Sequence, residues 1–117
     1  MKKLSVAIVL AGMLLAGEAG ADKYRVWGSG TVSCGTWITH RGSNSFLADA
    51  EFSWVQGFIT GLNAGLPNDS SNYGQVGAQL DPNAVEVWVD NYCQAHPLND
   101  LADAATVLYV YAKVQNK

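Results

Sequence analysis

The chain has 117 residues, 49% of them hydrophobic and 15% charged, with seven Lys plus Arg, ten Asp plus Glu and two cysteines. That length gives a single domain, and the low charge excludes an intrinsically disordered chain. The net charge of −3 excludes recognition of nucleic acid through a basic face.

Lys2 and Lys3 precede an apolar run over residues 4–16, and Ala19-Gly20-Ala21 follows. A charged start, an apolar centre and an A-x-A end describe a cleaved signal peptide over residues 1–21. The run falls short of the roughly 20 apolar residues of a spanning helix, and Glu18 closes it. No cysteine follows for a lipid anchor. Processing removes two lysines and one glutamate and leaves 96 residues with five basic and nine acidic side chains. The short leader is bacterial in style, so the expected location is the periplasm, with no membrane attachment after processing.

Residues 22–32 read as an extended arm, polar and punctuated by Gly28 and Gly30. Tyr24, Val26 and Trp27 offer a short strand along the body as one alternative. The body proper spans residues 33–117. Cys34, Trp37 and Ile38 stand at i, i+3 and i+4, which predicts a helix over 34–41 with Ser33 as its N-cap. Gly42-Ser43-Asn44-Ser45 breaks it.

Phe52, Val55, Ile59 and Leu62 mark an amphipathic helix over residues 46–65. Each interior glycine costs a helix about 1 kcal/mol relative to alanine. Gly57, Gly61 and Gly65 nevertheless form one stripe, read here as a groove for close packing by a neighbouring helix or ring. Gly65 and Pro67 end the element. Residues 66–80 form a long loop rich in Asn, Ser, Gly and Gln, a length that marks many binding elements.

Asp81 and Pro82 predict a helix start. Val85, Trp88, Val89, Tyr92 and Cys93 give the strongest periodicity in the chain, and His96-Pro97 ends it. Asn99 or Asp100 caps a last helix with Leu101, Ala104, Ala105, Leu108, Tyr111 and Ala112 inward. The predicted fold class is small all-α, with about four helices.

Cys34 and Cys93 both fall on the inward faces of their helices. In an oxidising compartment an even pair reads as one disulfide. It closes a loop of about 60 residues, worth roughly 4 kcal/mol in the chain-entropy model. A reactive thiol would want a Cys-x-x-Cys pair or a basic partner, and Pro97 turns the chain away at His96.

Nothing in the sequence specifies catalysis. His40 and His96 would need a carboxylate such as Asp49 or Asp90 to hold a metal, and no spacing fixes one. The serines stand in no nucleophile-elbow sequence. Asp81 and Asp100 read as caps, and Glu86, Asp90 and Asp103 as solvated helix faces. No cofactor is expected. Trp37 and Trp88 belong to the core and Trp54 to its edge. Trp27 is either an exposed interface anchor or buried with the arm. Recognition of a protein partner is assigned to Trp27 and to Asn68, Asp69, Asn72 and Tyr73 of the long loop, and association of two copies is left open.

Three stretches together resemble a known group. They are Ser33-Cys34-Gly35-Thr36-Trp37, Trp54-Val55-Gln56-Gly57-Phe58-Ile59-Thr60-Gly61 and Trp88-Val89-Asp90-Asn91-Tyr92-Cys93-Gln94-Ala95-His96-Pro97. This chain resembles the HdeA-like helical superfamily over residues 33–111, closest in style to the periplasmic immunity proteins of the Rap/Tai type. The resemblance implies a Cys34–Cys93 disulfide in either case. A Rap/Tai-type protein neutralises a peptidoglycan-amidase toxin of type VI secretion by blocking its cleft. An HdeA-type protein is an acid-stress chaperone that loses structure at low pH. The five basic residues of the processed chain give less positive repulsion in acid than lysine-rich chaperones have. That favours toxin binding.

Overall fold

Every helix start uses a short polar side chain to accept one of the N–H groups that a helix leaves unpaired. The computed structural model describes residues 24–66, 76 and 80–115. The leader segment 1–21 and the loop residues Asn68, Asp69, Asn72 and Tyr73 lie outside the described residues. Helix α1 spans Cys34–Gly42 and is capped by Ser33, whose Oγ accepts from the Thr36 N–H at 3.1 Å. Helix α2 spans Phe46–Gly65, with the Ser45 Oγ accepting from the Leu47 N–H. Helix α3 spans Pro82–Ala95 behind the Asp81 cap, and Pro82 opens it. Helix α4 spans Leu101–Gln115. Asp100 and Asp103 cap it reciprocally, each carboxylate accepting from the other's backbone N–H, at 2.9 and 3.1 Å.

The described residues thus form an all-α fold of four helices, preceded by a 3₁₀ turn at Gly28–Thr31. No strand occurs among them. Tyr24, Arg25, Val26 and Trp27 are extended without a ladder.

One end of the body is fastened twice. Cys34 and Cys93 form the predicted disulfide, joining α1 to α3 across 59 positions of sequence. Beside it, the backbone bridges Ser33 and Asp100. The Cys34 N–H donates to the Asn99 carbonyl at 2.7 Å, Gly35 N–H to the Pro97 carbonyl, and Leu101 N–H to the Val32 carbonyl. The connection between α3 and α4 therefore supplies the acceptors for the first free N–H groups of α1. Inside lie Cys34, Trp37, Val55, Val89, Cys93, Leu101 and the small residues Ala104 and Ala105, all fully buried.

Three expectations are corrected here. Among the described residues the glycine stripe of α2 forms no packing groove: an added Cβ at Gly57, Gly61 or Gly65 meets none of them within 4 Å. These glycines stand two residues from Val55, Ile59 and Asn63, about 200° around the helix, on the solvent side. On α4, Tyr109 is buried at 6% exposure and Tyr111 lies outside at 49%. Ala102, Ala104, Ala105 and Ala112 are short, so α4 sits deep and Tyr109 continues the buried row of Ala102 and Ala105. Trp88 packs against the core half-buried rather than within it.

Candidate recognition site

The arm and α2 build one aromatic surface. On α2, Trp54 and Phe58 lie one turn apart and their rings stack at 5.2 Å between centroids. Tyr24 stacks on Phe58 in turn, at 6.4 Å. The Thr106 hydroxyl of α4 donates to the Ala102 carbonyl at 2.7 Å, so its oxygen is left to accept from the Tyr24 hydroxyl at 3.2 Å. These contacts hold the arm across both helices.

Two glycines let the arm close on Trp54. Gly28 takes a positive φ of 72°, open to glycine at little steric cost. Gly30 lies flat against the indole, and an added Cβ would overlap its Cζ2 and Cη2 atoms. The Trp54 Nε1–H donates to the Trp27 carbonyl at 2.7 Å. The backbone of Trp27 is thereby fixed while its ring stays 74% exposed. The Arg25 guanidinium rests 5.6 Å from the centre of that ring, within cation–π range. The arm is docked on the body, and Trp27 projects from it rather than being buried with it.

Between Arg25, Val26 and Trp27 on one side and Trp54, Gly57 and Phe58 on the other lies a groove of about 390 Å³, mostly apolar. The bare surface at Gly57 opens its floor. Of the residues assigned to recognition, Trp27 belongs to this groove; the four from the long loop lie outside the described residues.

On α1 and α3 a polar network joins the two helices. Trp37 is fully buried, and its Nε1–H donates to Asp90 Oδ1 at 2.8 Å. Arg41 donates from Nε to the same oxygen at 3.0 Å and from Nη2 to Oδ2 at 2.9 Å. Its Nη1 reaches Glu86 at 3.2 Å. Hydrogen bonding to Asp90 pushes the Arg41 pKa above its ordinary value. Asp90 and Glu86 are therefore not solvated helix faces, and Asp103 is part of a cap. Sequence reading missed Arg41. The signal was present as Trp37 and Arg41 one turn apart on α1, opposite Glu86 and Asp90 one turn apart on α3.

His40 pairs with Glu51 of α2, Nδ1 to Oε1 at 2.7 Å, rather than with Asp49. Glu51 is 4% exposed, and its second oxygen has no hydrogen-bond partner among the described residues. A carboxylate-oriented histidine is half of a nucleophile-activating pair. The nearby Ser43 hydroxyl, however, donates to the His40 backbone carbonyl at 3.1 Å. His96 ends α3, with Nδ1 3.0 Å from the Tyr92 carbonyl and its ring stacked on Tyr92. Among the described residues no group of three or more His, Cys, Asp or Glu side chains is arranged to hold a metal ion. No helix there is long and apolar enough to cross a membrane.

Comparison of the chain with protein-family models, with curated protein sequences and with solved structures gives no match in any of the three.

Proposed function

We propose that this chain is a non-enzymatic, exported protein-binding module, an immunity protein that blocks a peptidoglycan amidase delivered by type VI secretion. The observation that carries the binding part is the exposed Trp27 ring on a backbone already fixed by Trp54. A large aromatic held in place before binding loses little conformational freedom on contact, which is the property of an interface anchor. The groove behind it accepts an apolar side chain, and Arg25 at its rim accepts a carboxylate. The immunity part is supported by the sequence resemblance and the predicted export, which would place the chain beside the cell wall.

The test is binding and inhibition with purified peptidoglycan amidases of type VI secretion. Expected are a stable complex and loss of peptidoglycan hydrolysis at stoichiometric amounts of the chain. Full hydrolysis in its presence, with no complex, contradicts the proposal.

A further inference from the structure

The arm is tied to the body unequally along its length. Its C-terminal end is pinned at Val32, whose carbonyl accepts from the Leu101 N–H at 3.0 Å, next to the disulfide-fastened start of α1. Ahead of that point the arm buries little of itself: of residues 24–31 only Gly30 is buried. Among the described residues two hydrogen bonds tie this stretch to the helices, besides the ring contacts with Trp54 and Phe58. The Trp54 Nε1–H donates to the Trp27 carbonyl at 2.7 Å, and the Tyr24 hydroxyl donates to Thr106 Oγ1 at 3.2 Å. Both bonds face solvent. A segment with few buried contacts and exposed hydrogen bonds opens at a lower free energy than the whole body unfolds.

We propose that the arm is a latch, in equilibrium between the docked state and one swung open about Val32, and that Thr106 is a positioning residue that sets the balance. The inference rests on the reading of Trp27 as the anchor of recognition. Thr106 stands on α4 and does not line the groove, so it acts on recognition through the arm. Its hydroxyl hydrogen is used on the Ala102 carbonyl, which leaves the oxygen as the acceptor for Tyr24. When the latch opens, Trp27 loses the bond that fixes its backbone. The groove then loses the wall made by residues 24–27. Only the docked fraction presents both, and apparent affinity scales with that fraction.

The test is hydrogen exchange at two indole N–H groups, read by nuclear magnetic resonance on the purified chain. No partner enters this measurement, so failure of the latch and failure of amidase binding are told apart. The Trp54 Nε1–H reports the latch through its bond to the Trp27 carbonyl. The Trp37 Nε1–H, fully buried on Asp90, reports the body. Thr106→Val keeps the side chain's shape and removes the acceptor; Tyr24→Phe keeps the ring on Phe58 and removes the donor. Each is expected to speed exchange at Trp54 about three- to tenfold, the usual worth of one hydrogen bond, with Trp37 unchanged. Thr106→Ser should keep the parental rate. The double variant should be no faster than either single one, because both remove the same bond. Exchange at Trp54 that ignores Thr106→Val, that rises only in step with Trp37, or that multiplies in the double variant overturns the proposal.

Discussion

Gly30 lies against the indole of Trp54 so closely that a single added methyl group would overlap two ring carbons, and the Val26 side chain closes the same space at 2.6 Å. Neither neighbour can yield easily, because Trp54 is held by its bond to the Trp27 carbonyl. Gly30→Ala therefore detaches the arm. The expected result is a loss of about 1–3 kcal/mol of stability, the usual cost of overpacking a close contact. Faster proteolysis after Arg25 would accompany it. Urea denaturation followed by tryptophan fluorescence reads the first effect and limited trypsin digestion the second.

Asp90 serves a buried indole N–H and a guanidinium at once. Asp90→Ala leaves the Trp37 donor without its acceptor in the core and is expected to cost about 2–3 kcal/mol. Asp90→Asn keeps an acceptor for Trp37 and gives up the charge pairing with Arg41, so its cost should be smaller. Chemical denaturation of both variants checks the order. Equal losses would mean that the indole bond contributes nothing.

The exposed glycines of α2 predict a gain. None of the described residues stands within 4 Å of a Cβ at Gly61, and its helical backbone suits alanine. Gly61→Ala should stabilise the chain by about 0.5–1 kcal/mol, seen as a higher melting temperature. Destabilisation would show that this face is covered after all.

Burial raises the pKa of the Tyr109 hydroxyl above its ordinary value of 10.0. The unfolded chain then loses this proton at lower pH than the folded chain does. Stability is accordingly full below about pH 10 and falls as pH rises above it. Tyr109→Phe should remove part of that alkaline loss, measured as denaturation midpoints at pH 9 and 11, on either side of the ordinary tyrosine pKa.

Much of the fold was legible because its signals are local. Ser33, Ser45, Asp81 and Asp100 cap helices through side chains that reach two or three residues along the chain. The Cys34–Cys93 bond followed from an even cysteine count and two inward faces. What escaped depended on neighbours distant in sequence. The stripe of Gly57, Gly61 and Gly65 has a helical period, but period alone does not say which stripe meets a neighbour; the close approach occurs at Gly30 instead. Tyr109 was missed because its burial follows from how deeply the alanines let α4 settle. Likewise the acceptors of Arg41 stand 45 and 49 residues away on another helix. In the site, Trp27 could be singled out as an exposed aromatic, whereas the groove beside it requires the arm to fold back on Trp54 and Phe58.

Binding through Trp27 is tested most directly by calorimetric titration of a purified type VI secretion peptidoglycan amidase into the chain and into its Trp27→Ala variant. The Trp27 ring contributes little to the body's packing, so the variant should keep the melting temperature of the parent. Its affinity should fall at least tenfold, about 1.4 kcal/mol or more. An amidase that binds Trp27→Ala as tightly as the parent chain would contradict the account.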